Sequence, residues 1–451
     1  MLGWEFPPLL TGGLGQACYS LAKALSQHTE LQMIIPKADP QFIMDNVNLT
    51  GLNHISEKDI EIERLSYAIE DVQEIMYVPT DLTPYPVPIV KAVKKIKQMI
   101  EAYPLMRLEE IKELYGGEDN YGDNIMEKVS TYTELVLKLA ENKEFDLIHT
   151  HDWLTLQAGV ALKQKTQKPL IAHIHSLETD RVAGQWAKHP QNMVYQIELK
   201  GMRSADFVVP VSNYTKMQIL QHYPQVAETK IVPIHNAIDP MPDAQPVALP
   251  DQTILDSPET LEEKGYIRKE QKANKMVLFL GRITYQKGPK FLVEAAEKLL
   301  KKDQNVTFIV AGSGDQQQWL QQEVVKRKIA ENFVLTGFLS KQRVHELLEV
   351  ADVYFMPSVS EPFGLSALEA AQHNVPSVIS KQSGVAEVMQ HALIADSGDA
   401  QKFANYLYAL LHYEGIREYL TTETKKDLQT ITWENVALQV LELYQKTIQS
   451  N

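Results

Sequence analysis

From residue 276 onward the chain repeats one pattern: a short apolar run of strand length, then a longer stretch with helical spacing. Strands are predicted at 276–281, 306–311, 332–336, 353–356, 376–380 and 392–395, with helices between them. Strands that alternate with helices pair in parallel, because the helix carries the chain back to begin the next strand in the same direction. The crossovers are right-handed in nearly all proteins, which leaves few topologies. The first half uses the same units less regularly, with strand-like runs at 31–36, 145–149, 169–174, 206–211 and 230–234. At 451 residues the chain exceeds the size at which one core keeps growing. The expectation is α/β with two Rossmann-like domains whose parallel sheets face a central cleft, where ligands tend to sit.

The boundary is marked by prolines at 240, 242, 246, 250 and 258, which break any period. A charged stretch at 261–275 follows. The expected division is an N-terminal domain over 1–240, a linker and peripheral segment over 241–275, a second domain over 276–430, and a terminal helix over 431–451. In that helix Trp433, Val436, Val440, Leu443 and Tyr444 form one apolar stripe.

Acidic residues outnumber basic ones, 58 to 44, for a formal charge of −14. That argues against nucleic acid or an anionic membrane as partner, since both select basic surfaces. No apolar run reaches membrane-spanning length, and the start lacks the basic and apolar segments of a signal peptide. The one cysteine, Cys18, forms no internal disulfide. The cytoplasm is the expected location. Few residues precede the Pro7-Pro8 turn where a full first strand belongs, so the recorded start is read as having lost residues.

The most informative stretch is 358–375, SVSEPFGLSALEAAQHNV, directly after the predicted strand at 353–356. Glu361 falls in the turn and Glu369 about one turn inside the following helix. A helix N-terminus offers free amide donors and partial positive charge, so it can hold an anion, while the two carboxylates accept from hydroxyls. Phosphate plus hydroxyls points to a sugar phosphate or a nucleotide sugar. Acidic residues near helix starts are routine, but placement at a strand's carboxyl end favours ligand binding.

Three other places carry comparable chemistry. Gly12, Gly13 and Gly15 open a helix with apolar residues at Leu14, Ala17, Leu21, Ala24 and Leu25, where backbone amides can approach a diphosphate. Gly13-x-Gly15 with Asp39 also matches half of a dinucleotide fingerprint. Cys18 stands at its third glycine position, however, and Pro-Pro replaces the strand that the fingerprint requires. Polar clusters follow two strands, His151-Asp152-Trp153 and His175-Ser176-Leu177-Glu178, and ends of parallel neighbours point at one crevice. Arg282 and Lys287 sit in the loop after the 276–281 strand, a fork of donors and a point charge suited to two phosphates.

EPFGLSALEA resembles the Glu-x7-Glu motif of retaining glycosyltransferases of the GT-B fold, which include glycosyltransferase family 4 and the glycogen and starch synthases. The resemblance extends in order from about Gly3 to about Glu387. It implies that Arg282 and Lys287 bind the donor diphosphate and neutralise the departing nucleotide. It also implies that Gly12 and Gly13 face that diphosphate and that Glu361 holds the donor sugar hydroxyls. Glu369 would reach the ribose, Gly364, Leu365 and Ser366 would line the phosphates with backbone amides, and Phe338 would lie near the base. Asp152 and His175 would hydrogen-bond the transferred sugar near the reacting carbon, with His173 as the alternative alignment for His175. Glu178 and Arg181 would belong to the acceptor side. Apart from the resemblance, the Gly/Asp/Tyr turn-rich stretch at 115–124 is read as a candidate border of an acceptor site. Leu10 stands where glycogen synthases carry a lysine, which moves the reading toward family 4.

No Asp-x-Asp, CxxC or HExxH occurs, so no metal site is named and no cofactor is expected beyond a nucleotide-diphosphate sugar as substrate. The partners implied are that donor and a glycan or oligosaccharide acceptor. The base, the sugar and the acceptor stay open, as does a non-catalytic protein that binds sugar nucleotides.

Overall fold

The computed structural model describes residues 1–9, 12–56, 108–117, 120–122, 124–141, 143–182, 192–240 and 275–449. Leu10, the lysine-rich run of sequence at 91–99, the proline-rich 241–258 stretch and the charged 261–274 stretch lie outside them. The chain divides into two compact units, Met1–Ala237 with Trp433–Asn451, and Ile238–Thr432.

In the first unit the strands are β1 (Leu31–Ile35), β2 (Val47–Gly51), β3 (Ile148–His151), β4 (Leu170–Ile174) and β5 (Phe207–Pro210). β1 pairs with β2, and β3, β4 and β5 pair in that order, all in parallel. Leu2 bridges both Ile34 and Thr150, so the first residues run between β1 and β3 and join the two groups. The Leu2 amide donates to His149 O at 2.8 Å and the Gly3 amide to Ile34 O at 3.0 Å. The direction of the order therefore changes between this opening segment and β3, and ligands collect at such a switch point.

Two expectations are corrected here. The run at 145–149 moves to Ile148–His151, because the parallel register sets Ile148 against Leu170 and His151 against His173. The run at 230–234 makes only a bridge from Ile231 to Val208, since Lys230 still belongs to the short turn Glu228–Lys230.

Helix Trp153–Thr166 buries Trp153, Leu154, Leu156 and Val160 and has no polar face to speak of. Helices Ile125–Leu139 and Met193–Ser204 pack against it, which accounts for apolar residues on more than one side. The terminal helix Trp433–Gln449 buries Trp433, Val436, Val440 and Leu443 and packs on helix Gly13–Leu25.

The second unit is regular. Its strands are β6 (Lys275–Leu280), β7 (Val306–Ala311), β8 (Phe333–Gly337), β9 (Val353–Met356), β10 (Ser377–Ser380) and β11 (Leu393–Ala395). They form one parallel sheet in the order β11-β10-β9-β6-β7-β8. The order reverses between β6 and β9, and the loops after these two strands carry Arg282, Lys287 and Glu361. Phe279, Phe308, Val310, Phe355 and Phe403 lie in the core around the sheet.

Candidate active site

At the carboxyl end of the second sheet three loops lock together. The Gly312 amide donates to Gly337 O at 2.8 Å and the Ile283 amide to Ser313 O at 2.9 Å. These bonds set the turn after β7 and the end of β8 beside the Arg282 loop. A short turn, Tyr285–Lys287, then ends on Gly288 at φ +70°, where an added Cβ would stand 2.1 Å from Pro357 O. Only glycine fits so close a passage. It brings the Lys287 loop against the one after β9, where the Val359 amide also donates to Gln286 O at 2.8 Å.

The consequence is an ion pair between Lys287 Nζ and Glu361 Oε2 at 2.5 Å, with the Ser358 hydroxyl donating to the same oxygen at 3.2 Å. Glu361 is buried, and its amide and carbonyl are fixed by Gln382 and Gly384. Gly364, at φ +110°, turns the chain into helix Leu365–Gln372 and lies against Glu361. The Ser366 hydroxyl is 2.7 Å from that of Tyr354, whose pKa is raised by burial. Glu369 lies one turn on. Burial raises its carboxyl above the usual range, offset in part by Lys341 and His373. Arg282 is exposed and has no ion-pair partner among the described residues, and Phe338 is 77% exposed beside Gly337. The structure thus gathers Arg282, Lys287, Phe338, Glu361, Gly364, Leu365, Ser366 and Glu369 at one end of one sheet.

In the first unit, Gly12 caps helix Gly13–Leu25, with open space around its Cα. Asp152 takes φ +57° as the residue before helix Trp153–Thr166. Its carboxylate is fully engaged at the end of β4: Oδ1 accepts the amides of His175 at 2.6 Å and Ser176 at 3.2 Å, and Oδ2 accepts the Ser176 hydroxyl at 3.2 Å. Asp152 therefore holds the His175 turn.

Four imidazoles stack on the paired strands β3 and β4. His149 Nε2 meets His173 Nδ1 at 3.1 Å, and His151 Nδ1 meets His175 Nε2 at 2.9 Å. His173 is enclosed in this stack, whereas His175 lies at its rim with 9% of its surface exposed, so His175 is the more accessible of the two alignments. Burial, reinforced for the first three by neighbouring imidazoles, holds all four below the ordinary histidine pKa and keeps them neutral. Tyr444 of the terminal helix places its hydroxyl 2.5 Å from His149 Nδ1.

The side chains of Cys18, His151 and His175, and those of His149, His151 and His173, bring ligand-type atoms within 4.8 Å of one another. These groups draw on separate elements, which is why a search by spacing did not find them. Their facing nitrogens are hydrogen-bonded to each other in pairs, and no ion is assigned to them. Sequence reasoning also missed Glu5, a buried carboxylate at the end of the opening segment that accepts the Tyr121 hydroxyl. The Trp4 indole donates to Asn120 O at 3.3 Å, so the turn-rich stretch at 115–124 packs beside Glu5; residues 118, 119 and 123 lie outside those described. A lone Glu between Trp4 and Phe6 gave no signal in the sequence.

Glu178 and Arg181, expected on the acceptor side, are buried with Glu198. Arg181 Nη2 lies 2.6 Å from Glu198 Oε1 and Nε lies 3.2 Å from Glu178 Oε2. Burial pushes the Glu198 carboxyl up to about 7, against the pull of Arg181 and with the charge of Glu178 adding to it.

Two parallel sheets with their polar groups at the strand ends make the class a GT-B fold, and known structures agree. Sucrose-phosphate synthase from Thermosynechococcus elongatus superposes with a TM-score of 0.65 at 18% identity, over 100% of this chain and 96% of that one. Residues 1–230 match the family described as the starch synthase catalytic domain, and residues 262–427 match glycosyl transferases group 1. The first match alone spans half of the chain, so the protein belongs to the family of the starch synthase catalytic domain. It is 27% identical to an uncharacterized glycosyltransferase of Methanocaldococcus jannaschii, over 98% of this chain and 97% of the relative. It is 26% identical to the glycogen synthase of Mycobacterium tuberculosis, over 86% of this chain and 79% of the relative. Among the described residues no helix is long and apolar enough to cross a membrane.

Proposed function

We propose that this glycosyltransferase moves a hexose, glucose first among the candidates, from a nucleotide-diphosphate sugar to a glycan acceptor, with retention of the anomeric configuration. An α-glucan acceptor fits the similarity to a glycogen synthase. The observation that carries the reading is the Lys287–Glu361 pair beside the start of helix Leu365–Gln372. A cation, free amides and a buried carboxylate at one point suit a phosphate joined to a sugar: Lys287 and the amides take the phosphate, and Glu361 accepts from the sugar hydroxyls.

In this reading Arg282 and Lys287 stabilise the charge that develops on the leaving diphosphate, the part that a divalent ion would otherwise play. Gly12 and Gly13 offer amides to the same diphosphate, Glu369 takes the ribose, and Phe338 lies against the base. His175 sits at the reacting carbon, oriented by Asp152. Neutral imidazole suits that place, since a protonated ring would repel positive charge building on the sugar. Transfer proceeds on the face from which the nucleotide leaves, and the leaving phosphate accepts the acceptor's proton. Trapping a covalent glycosyl-enzyme would overturn that step. The cytoplasm as location belongs to the same proposal.

The test is nucleoside-diphosphate release from UDP-, ADP- and GDP-sugars, with and without malto-oligosaccharide. Release from a glucose donor that rises with the oligosaccharide supports glucan synthesis. Release that responds to a different acceptor keeps the transferase and replaces the glucan. Glu361→Gln is expected to lower turnover roughly 100-fold while nucleotide binding stays within a few-fold. Equal turnover of the variant would remove Glu361 from the catalytic set, whereas nucleotide binding with no release from any donor would leave sugar-nucleotide binding without catalysis as the better reading.

A further inference from the structure

Beyond β4 the chain builds a buried polar network that the transfer chemistry has not yet used. Arg181, with its side chain 3% exposed, reaches three acceptors from one guanidinium. Nη1 donates to Ser176 Oγ at 2.6 Å, Nη2 to Glu198 Oε1 at 2.6 Å, and Nε to Glu178 Oε2 at 3.2 Å. Glu198, on helix Met193–Ser204, also accepts the Glu178 amide at 2.9 and 3.0 Å and the Tyr223 hydroxyl. Asn192 Nδ2 donates to Glu178 Oε1 at 3.1 Å. The Ser176 hydroxyl accepts from Arg181 and donates to Asp152 Oδ2 at 3.2 Å, and the other oxygen of Asp152 accepts the His175 amide at 2.6 Å.

Stability by itself is a weak reason for such a network. Burying charges costs several kcal/mol, and apolar residues of similar size often serve a fold as well. What apolar packing lacks is direction. A guanidinium is a rigid planar fork, so three acceptors on two segments are fixed relative to one another. Here the fork ties helix Met193–Ser204 to the turn carrying His175. That imidazole needs such a hold, because among the described residues only its Nε2 has a partner, while its buried Nδ1 has none.

We propose that Arg181 is a positioning residue for His175: through Ser176 and Asp152 it fixes the turn from which the imidazole projects. The proposal deepens the functional reading above and rests on it for the claim that His175 works at the sugar. Misplacing a reacting group by about 1 Å costs on the order of 100-fold in rate, so loosening the turn should act on turnover rather than on donor affinity.

The decisive variant is Ser176→Ala, which cuts the link and leaves Arg181, Glu178 and Glu198 paired. The expected result is a kcat lowered roughly tenfold, with KM for the donor and the melting temperature close to the parent's. Arg181→Lys should reproduce that loss without rescue, because one ammonium cannot serve three divergent acceptors. Nitrogen-15 spectra of the histidines supply a readout independent of turnover: the His175 ring signals should move in Ser176→Ala, and those of His149 should not. An unchanged kcat with unmoved His175 signals overturns the proposal. So does a loss of kcat matched by equal losses of donor affinity and melting temperature, which would make the network a matter of folding alone. If the parent transfers no sugar at all, the functional reading fails, and the histidine spectra alone decide whether Arg181 governs the turn.

Discussion

The two units present opposite solutions at the same place in the same kind of sheet. At the strand ends of the first unit the polar groups are turned inward. Asp152 is used up on the His175 turn, Arg181 lies among Glu178, Glu198 and Ser176, and four imidazoles hydrogen-bond in pairs. At the strand ends of the second unit, Arg282 is exposed, Phe338 is largely bare, and Lys287 is held by one carboxylate. The first surface is organised before any ligand arrives, and the second is open to an anionic one. Desolvation is complete around Arg181 and the imidazoles of the first and still to come for Arg282 in the second, so the two should answer differently to acid and to substitution.

The largest expected difference is with pH. The imidazoles of His149, His151, His173 and His175 have pKa values lowered in the fold, so below the ordinary value of 6.5 the unfolded chain binds protons that the folded chain does not. Stability is therefore full above that value and falls as pH drops through it, by about 1.4 kcal/mol per pH unit for each imidazole involved. Glu198 works the other way: its raised carboxyl favours the fold at low pH and withdraws that contribution as pH rises from 4.5 to about 7. Glu134, also raised by burial, acts in the same sense as Glu198, and the four imidazoles outweigh the two carboxyls, so the first unit should be the acid-labile one. In Trp319→Phe the remaining tryptophans all lie in the first unit, and their fluorescence would follow its melting alone. Equal acid sensitivity of the second unit would break the contrast.

Next in size is Arg181→Ala, which leaves two buried carboxylates without their cation and should cost about 3–5 kcal/mol, read as a lowered denaturant midpoint. The matching change in the second unit, Arg282→Ala, should leave that midpoint unchanged and weaken nucleoside-diphosphate binding roughly tenfold, the loss of a charge-assisted hydrogen bond. Calorimetric titration would read it. A stability loss in Arg282→Ala, or none in Arg181→Ala, would reverse the comparison. The smallest effect is Tyr444→Phe, which removes the hydroxyl at His149 and should cost about 1 kcal/mol, seen as a small fall in the same midpoint.

The two halves also differ in how far the sequence discloses them. All six strands after residue 275 form close to where apolar periodicity places them. A parallel strand buried on both faces reads as a continuous apolar run with helix between. The first half is harder, because its central strands carry histidines. A run such as IHTH does not look like a buried strand until His149 is seen paired with His173. Arg282, Lys287, Glu361 and Glu369 were legible because each stands in a loop or helix start at a strand end, where the chemistry is local. Glu5, Glu198 and Tyr444 were not, since each draws its meaning from a partner more than 20 residues away.

By itself, then, the sequence determined the alternation that forces a parallel α/β sheet in the second half, and the motifs at its strand ends whose chemistry suits a phosphate and a sugar. Both are local, written in the spacing of neighbouring residues. The tertiary structure decided that Asp152 holds a backbone turn, that His175 rather than His173 stands at the rim, and that Arg181 is buried in a network. These depend on which segments meet across the sheet, and hydrogen bonds between distant segments are fixed only when packing excludes the water that would otherwise satisfy them.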